Sequence, residues 1–140
     1  MASRCCAGPG EMPARLVALA FVFFALYGCE REAAPPRVCA DLTQGCAIRG
    51  IEVRADRLPS ALHPFLLSVR APGARQVSVE FVMQGMEMGL NRYRLIAQKD
   101  DLWQARVTLP VCVSGRRDWV LWVEADGERH GLAFQAGSGS

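Results

Sequence analysis

The chain from Cys39 onward consists of short runs of alternating apolar and polar residues, separated by turn residues at intervals of roughly ten. No helical period extends beyond a turn or two. This pattern predicts an all-β protein, specifically an immunoglobulin-like antiparallel β-sandwich of about seven strands within residues 39–136. With 140 residues, the chain accommodates one sizeable core. The predicted strands are 49–55, 65–71, 76–83, 91–98, 102–109, 118–125 and 128–135.

A two-residue turn signal, Asp126-Gly127, fixes the register of the last predicted hairpin. It sets Trp119 opposite Phe134 and places His130 near the turn, about 20 Å along the strand from Trp119. We therefore expect His130 to lie far from the end of the domain at which Trp119 enters its strand.

Two other predicted hairpins bring distant segments together. The fourth and fifth strands are predicted to form a hairpin whose apolar residues share one face. This requires position i to lie opposite position 200 minus i, or a register shifted by two from that one. Carried back along the chain, this register places Met88 opposite Cys112. The turn between the second and third strands similarly brings His63 beside Met83. We expect these residues to share one end of the sandwich.

An apolar segment of twelve residues, Leu16–Tyr27, follows Arg4 and Arg15 near the N-terminus. As a helix it would be about 18 Å long, which is short of the roughly 30 Å hydrocarbon core of a bilayer. Residues 1–28 are therefore predicted to be a signal peptide. An uncleaved anchor that tilts or thins the bilayer is the alternative.

The residues Leu26-Tyr27-Gly28-Cys29 resemble the lipobox of bacterial lipoproteins. The resemblance implies that Cys29 becomes the mature N-terminus and carries a lipid that tethers the protein to a membrane. Residues 29–38, rich in Ala, Pro, Arg and Glu, are predicted to be the tether, and residues 137–140 a flexible end. We expect the periplasmic face of a bacterial membrane, and Glu30 after the cysteine favours the outer membrane.

Export to an oxidising compartment changes the role expected of each cysteine. The cysteines of the signal peptide leave with it, and Cys29 is acylated. Cys39 and Cys46 are close enough in sequence to form a disulfide around a short loop, which leaves Cys112 as a free thiol. Pairings that involve Cys112, or a covalent dimer formed through it, are the alternatives.

Residues 83–89, Met-Gln-Gly-Met-Glu-Met-Gly, contain every methionine that follows the apolar N-terminal segment. Thioether sulfur binds a metal without losing a proton and favours soft Cu(I). Arg116 and Arg117 are expected to lower the pKa of the nearby cysteine thiol and make it a better ligand. Alternatively, the methionines fill gaps at the end of a core, the thiol is a small buried group and the histidine is a surface residue. The predicted copper ligands are Met83, Met86, Met88, Cys112 and His63.

Composition and motifs argue against several other functions. The formal net charge is only +2, and no run of Lys or Arg forms the basic surface that nucleic-acid binding needs. The sequence has no Cys-x-x-Cys, no His-Glu-x-x-His, no phosphate-binding glycine loop and no recognisable Ser-His-acid arrangement. We therefore expect a binding protein and not an enzyme.

The methionine loop, followed by Tyr93-Arg94-Leu95, a tryptophan-containing strand and a Leu-Pro terminus, is similar to the YtkA-like and FixH-like group of small membrane-anchored bacterial β-sandwich proteins. The similarity covers roughly residues 51–134. It implies copper delivery or oxidase assembly, with a membrane protein or metalloprotein as the partner. The alternative is an interaction module without metal, in which the methionines form an adaptable apolar contact with a membrane-protein partner.

Overall fold

The computed structural model describes residues 34–83, 85–86 and 89–138, and every regular element within them is a β-strand. The predicted signal peptide, the predicted lipid-bearing Cys29 and the candidate ligand Met88 lie outside the described residues. In the described part of the chain, no helix is long and apolar enough to span a membrane. The strands are β1 (Arg37–Val38), β2 (Cys46–Ile48), β3 (Ile51–Ala55), β4 (Phe65–Arg70), β5 (Val77–Met83), β6 (Arg92–Arg94), β7 (Ile96–Ala97), β8 (Leu102–Val107), β9 (Asp118–Ala125) and β10 (Glu128–Gln135).

The strands form two five-stranded sheets that pack as a sandwich. One sheet has the order β1-β10-β9-β5-β6, and the other has the order β2-β3-β4-β8-β7. Apart from β1 and β2 at the edges, these are the G-F-C-C′ and A-B-E-D orders of immunoglobulin-like domains. The predicted all-β sandwich is confirmed. The described residues form ten strands instead of about seven, because β1 and β2 are added and one predicted strand is divided.

The apolar residues of the long strands face the space between the sheets. Every second residue of β5 from Val77 to Met83 is at most 2% exposed. At the centre, the Phe81 ring meets those of Phe65 and Phe134 edge to face, with centroid distances of 6.1 and 6.3 Å. Aromatic contacts of this kind join both sheets into one core.

The predicted turn at Asp126-Gly127 joins β9 to β10. Both turn residues have positive φ, 49° and 88°, as a tight type I′ hairpin requires. Trp119 lies opposite Phe134, and His130 lies near the turn, as the sequence predicts.

The predicted course of residues 91–98 is wrong. The register of position i with 200 minus i holds for β7, where Ile96 lies opposite Gln104, but β6 pairs with β5 in the other sheet. Leu95, which is 3% exposed, fills the core where the chain crosses between the sheets. Strands of both sheets alternate apolar residues toward the same core and polar residues toward solvent. The sequence pattern therefore does not show that the chain crosses from one sheet to the other. The hairpin register therefore does not extend to Met88 and Cys112.

The sandwich begins earlier than the sequence predicts. Arg37–Val38 lies within the predicted tether, yet it pairs in parallel with β10, and Cys39 donates its N–H to the Ala133 carbonyl. The predicted disulfide between Cys39 and Cys46 is confirmed. It links the end of β1 in one sheet to the start of β2 in the other, and the loop it closes places Leu42 in the core.

Replacing both Cys39 and Cys46 with alanine removes this link between the sheet edges. We expect the free energy of unfolding to fall by about 2.5 kcal/mol, the loop-closure entropy of a loop of this size. Urea unfolding followed by tryptophan fluorescence measures the change. The matched control is Cys112→Ala, which removes a thiol outside the bridge. Equal unfolding midpoints for the double variant and the wild type would contradict a stabilising role for the disulfide.

Candidate metal site

Strand pairing brings three loops to one end of the sandwich. Met83 lies opposite Trp119, so the chain that leaves β5 meets the chain that enters β9. Phe65 lies opposite Val107, so the loop before β4 meets the loop after β8. The segments that the sequence predicts to converge are therefore neighbours. We call this the methionine end, and it consists of the described residues 56–64, 85–86, 89–91 and 108–117.

Met86 and Cys112 are in direct contact at the methionine end. The Sγ atom of Cys112 lies 3.5 Å from the Sδ atom of Met86. Met86 is held by a turn in which its N–H bonds the Met83 carbonyl, with Gly85 at a φ of 74° that favours glycine. The sequence predicts Met88 opposite Cys112. The β5–β9 register brings Met86 to the thiol, and Met88 lies outside the described residues.

The half-buried Cys112 thiol lies in a tight turn that stabilises its thiolate. Ser114 Oγ is 2.9 Å from Sγ, and the Gly115 N–H donates to the Cys112 carbonyl at 3.0 Å. The Ser114 hydroxyl is the main cause that lowers the pKa of Cys112. The backbone N–H groups of Ser114 and Arg116 and the charge of Arg116 lower it further, and partial burial opposes them.

The two arginines of this loop differ in their roles. Arg116 lowers the pKa of Cys112 as the sequence predicts, but Asp118 binds its guanidinium, with Nε 3.0 Å from Oδ1. Arg117 is not among the groups that shift this pKa. Sequence reasoning missed Ser114. The signal was a Ser-Gly pair two residues after the cysteine, which favours a turn that folds the hydroxyl back toward the thiol.

His63 is exposed, and its ring is oriented by the backbone. Nδ1 lies 3.0 Å from the Ala61 carbonyl oxygen and 3.3 Å from Ser60 Oγ. A carbonyl oxygen only accepts hydrogen bonds, so the proton of the neutral ring is assigned to Nδ1 and Nε2 keeps its lone pair. Metal-binding histidines commonly have this arrangement, in which a carbonyl holds one ring nitrogen and the metal takes the other.

The other candidate residues lie elsewhere. Met83 is 1% exposed, and its side chain belongs to the hydrophobic core below the loop. His130 is at the opposite end of the sandwich, where its Nε2 is 3.7 Å from a Glu128 carboxylate oxygen. Among the described residues, the sulfur pair is therefore Met86 and Cys112.

A cavity of about 530 Å³ opens beside the thiol. Both His63 and Cys112 line it, and Met86 approaches the thiol without lining the cavity. One wall is formed by Gly137, which the sequence places in a flexible end but which donates its N–H to the Pro59 carbonyl at 2.8 Å. The remaining lining residues are Ala61, Leu62, Pro110, Val111, Gly115, Arg116, Arg117, Trp119, Ala136 and Ser138.

Comparisons with known proteins identify no relative of this chain. The chain matches no protein-family model, no curated protein and no solved structure. Within residues 34–83, 85–86 and 89–138, no group of three or more His, Cys, Asp or Glu side chains is arranged to hold a metal ion.

The hydrogen bond from Ser114 predicts the pH dependence of Cys112 reactivity. Since the folded state lowers the pKa of this thiol, the thiolate persists at lower pH than for an ordinary cysteine. We expect Ser114→Ala to move the midpoint of Cys112 alkylation to higher pH, and Arg117→Gln to leave it nearly unchanged. Peptide-resolved mass spectrometry of iodoacetamide labelling measures both midpoints. A midpoint that does not move in Ser114→Ala would show that the hydroxyl has no such role.

Proposed function

We propose that this protein is an exported, membrane-tethered Cu(I)-binding protein that delivers or sequesters copper. The observation that carries the proposal is the 3.5 Å contact between Met86 Sδ and Cys112 Sγ at an accessible end of a rigid sandwich. The two sulfurs come from loops on different strands, and the β5–β9 register holds them together before any metal binds.

The spacing of the two sulfurs suits one soft ion. At a metal–sulfur distance of about 2.3 Å, as in zinc–thiolate sites, a tetrahedral angle separates two sulfur ligands by about 3.8 Å. The observed separation of 3.5 Å needs only a small adjustment. A neutral thioether beside a thiolate favours Cu(I) over zinc, magnesium or calcium, which prefer harder ligands or more charge.

Two further groups support a copper site. His63 faces the cavity next to the thiol, and its bond to the Ala61 carbonyl leaves Nε2 available as a ligand. Cys112 reaches its metal-binding thiolate form more readily because its pKa is lowered by the Ser114 hydroxyl. In this proposal Met83 supports the loop from the core, and Met88 is a possible additional ligand from the same loop.

The location and partner are part of the proposal. A lipid on Cys29 would tether the sandwich to the periplasmic face of a bacterial membrane, with the outer membrane favoured. The disulfide between Cys39 and Cys46 is consistent with an oxidising compartment. The copper would pass to a membrane protein or metalloprotein, as oxidase assembly requires, and neither nucleic-acid binding nor catalysis is proposed.

Copper titration under reducing conditions tests the proposal. We expect one equivalent of Cu(I) per chain. Met86→Leu and Cys112→Ser should each weaken binding by more than the roughly 10- to 100-fold cost of losing an outer-shell partner, because each removes a ligand. Met83→Leu is the matched control and should bind as the wild type does, since that side chain lies in the core. Failure to bind Cu(I), or unchanged binding in Met86→Leu, would refute the proposal.

One observation favours the second candidate function, an interaction module without metal. Exposed aliphatic side chains collect at the methionine end: Leu62, Leu90, Val111 and Val113 are 50–97% exposed. Such a surface suits contact with a membrane-protein partner. Met86→Leu separates the two functions, because it removes a sulfur ligand but largely preserves an apolar contact. The interaction module would be favoured if the wild type binds no copper and Met86→Leu still binds the partner.

A further inference from the structure

The cavity beside Cys112 has a basic lining. Its ionisable side chains are those of His63, Cys112, Arg116 and Arg117, and it is lined by neither Asp nor Glu among the described residues. Its volume of about 530 Å³ falls within the range of small-molecule sites, roughly 300–1,000 Å³. The size and charge of the cavity therefore favour a small organic anion.

Arg117 is the cation that such an anion would meet. Asp118 neutralises Arg116, whereas Arg117 is exposed and forms no ion pair with any residue that the structure describes. The backbone of Arg117 is fixed, because its carbonyl accepts the N–H of Ala136 at 2.9 Å. A guanidinium matches the geometry of a carboxylate, which it binds with two parallel hydrogen bonds.

A metal ion held by the sulfur pair would border the same cavity. Cys112 lines the cavity, and Met86 contacts the same sulfur without lining it. Two sulfur ligands leave positions on Cu(I) that further soft ligands can take. A molecule in the cavity would thus have the metal on one side and Arg117 on another.

We propose that the cavity binds a small thiol that carries a carboxylate, and that this thiol completes the sulfur coordination of Cu(I) at Met86 and Cys112. The inference rests on the proposed copper function and names the form in which the metal is bound, a ternary complex of protein, Cu(I) and thiolate. Copper enters as a Cu(I) bis(thiolate) and keeps its bond to one of the two thiolates. Its bond to the other breaks as Cys112 Sγ binds, the Cys112 proton passes to the departing thiolate, and copper stays Cu(I).

Native mass spectrometry of the purified full-length protein with Cu(I) and reduced glutathione, a tripeptide thiol with free carboxylates, tests the inference. We expect one copper and one glutathione per chain, and no retention of S-methylglutathione, whose sulfur is blocked. Arg117→Gln should reduce glutathione retention at least about tenfold, because a neutral amide cannot replace the two charge-assisted hydrogen bonds, whereas Cu(I) affinity measured without glutathione should be unchanged. Arg106→Gln, at an exposed arginine on β8, is the matched control and should retain glutathione fully.

The possible outcomes separate this inference from the copper function. Copper bound without retained glutathione, or equal retention in Arg117→Gln, overturns the inference and leaves the copper function standing. A covalent glutathione adduct that forms without copper also overturns it, because glutathione would then be retained through thiol–disulfide exchange, either of Cys112 with oxidised glutathione or of reduced glutathione with the Cys39–Cys46 disulfide. Absence of Cu(I) binding overturns both.

Discussion

Strand β9 is hydrogen-bonded on both sides, and the rest of the structure depends on its register. Leu121 lies opposite Phe81 on one neighbour and opposite Leu132 on the other. A slip of one residue would turn the apolar side chains of β9 toward solvent, so burial of the core excludes it. That register sets Met83 opposite Trp119 and thereby places the methionine loop beside the Cys112 loop. Burial of the core thus determines which two sulfurs meet at the surface.

The electrostatics of the site come mainly from dipoles. The hydroxyl of Ser114 and two backbone N–H groups favour the Cys112 thiolate, and the one nearby arginine that contributes is already paired with Asp118. The thiolate therefore has no tightly bound cation that an incoming metal must displace. The guanidinium of Arg117, which forms no ion pair with any described residue, belongs to a residue that lines the cavity. The Met86–Cys112 pair is therefore suited to a soft metal, and the cavity wall that contains Arg117 is suited to an anion.

Strong local signals made much of the fold predictable. The β9–β10 register could be predicted from the Asp126-Gly127 turn and the apolar–polar alternation on both sides of it. The short spacing between Cys39 and Cys46 indicated the disulfide. The convergence of the loops at the methionine end was predicted from two hairpins, but β4 and β5 lie in different sheets and of residues 91–98 only β7 pairs with β8. Leu95 marks where this reasoning failed, because an inward-facing residue has the same phase in either sheet and the crossing between sheets cannot be seen in one sequence.

The details of the candidate site were less predictable for a related reason. The sequence spacing of Met86 and Met88 does not distinguish them, and the turn at Gly85, which brings Met86 to the thiol, cannot be read from that spacing. The two-residue strand β1 has no alternation to detect, so it was assigned to the tether. Arg116 and Arg117 are adjacent in sequence, and only the tertiary position of Asp118 distinguishes them. Such features depend on contacts between segments, which residue spacing does not record.

The central claim is that Met86 and Cys112 hold one Cu(I) ion between them. Copper K-edge X-ray absorption of the Cu(I)-loaded protein tests it most directly, because sulfur scatters differently from nitrogen and oxygen. The account predicts a first shell dominated by sulfur that loses one sulfur scatterer in Met86→Leu. A first shell of only nitrogen and oxygen, or a sulfur shell unchanged in that variant, would contradict it.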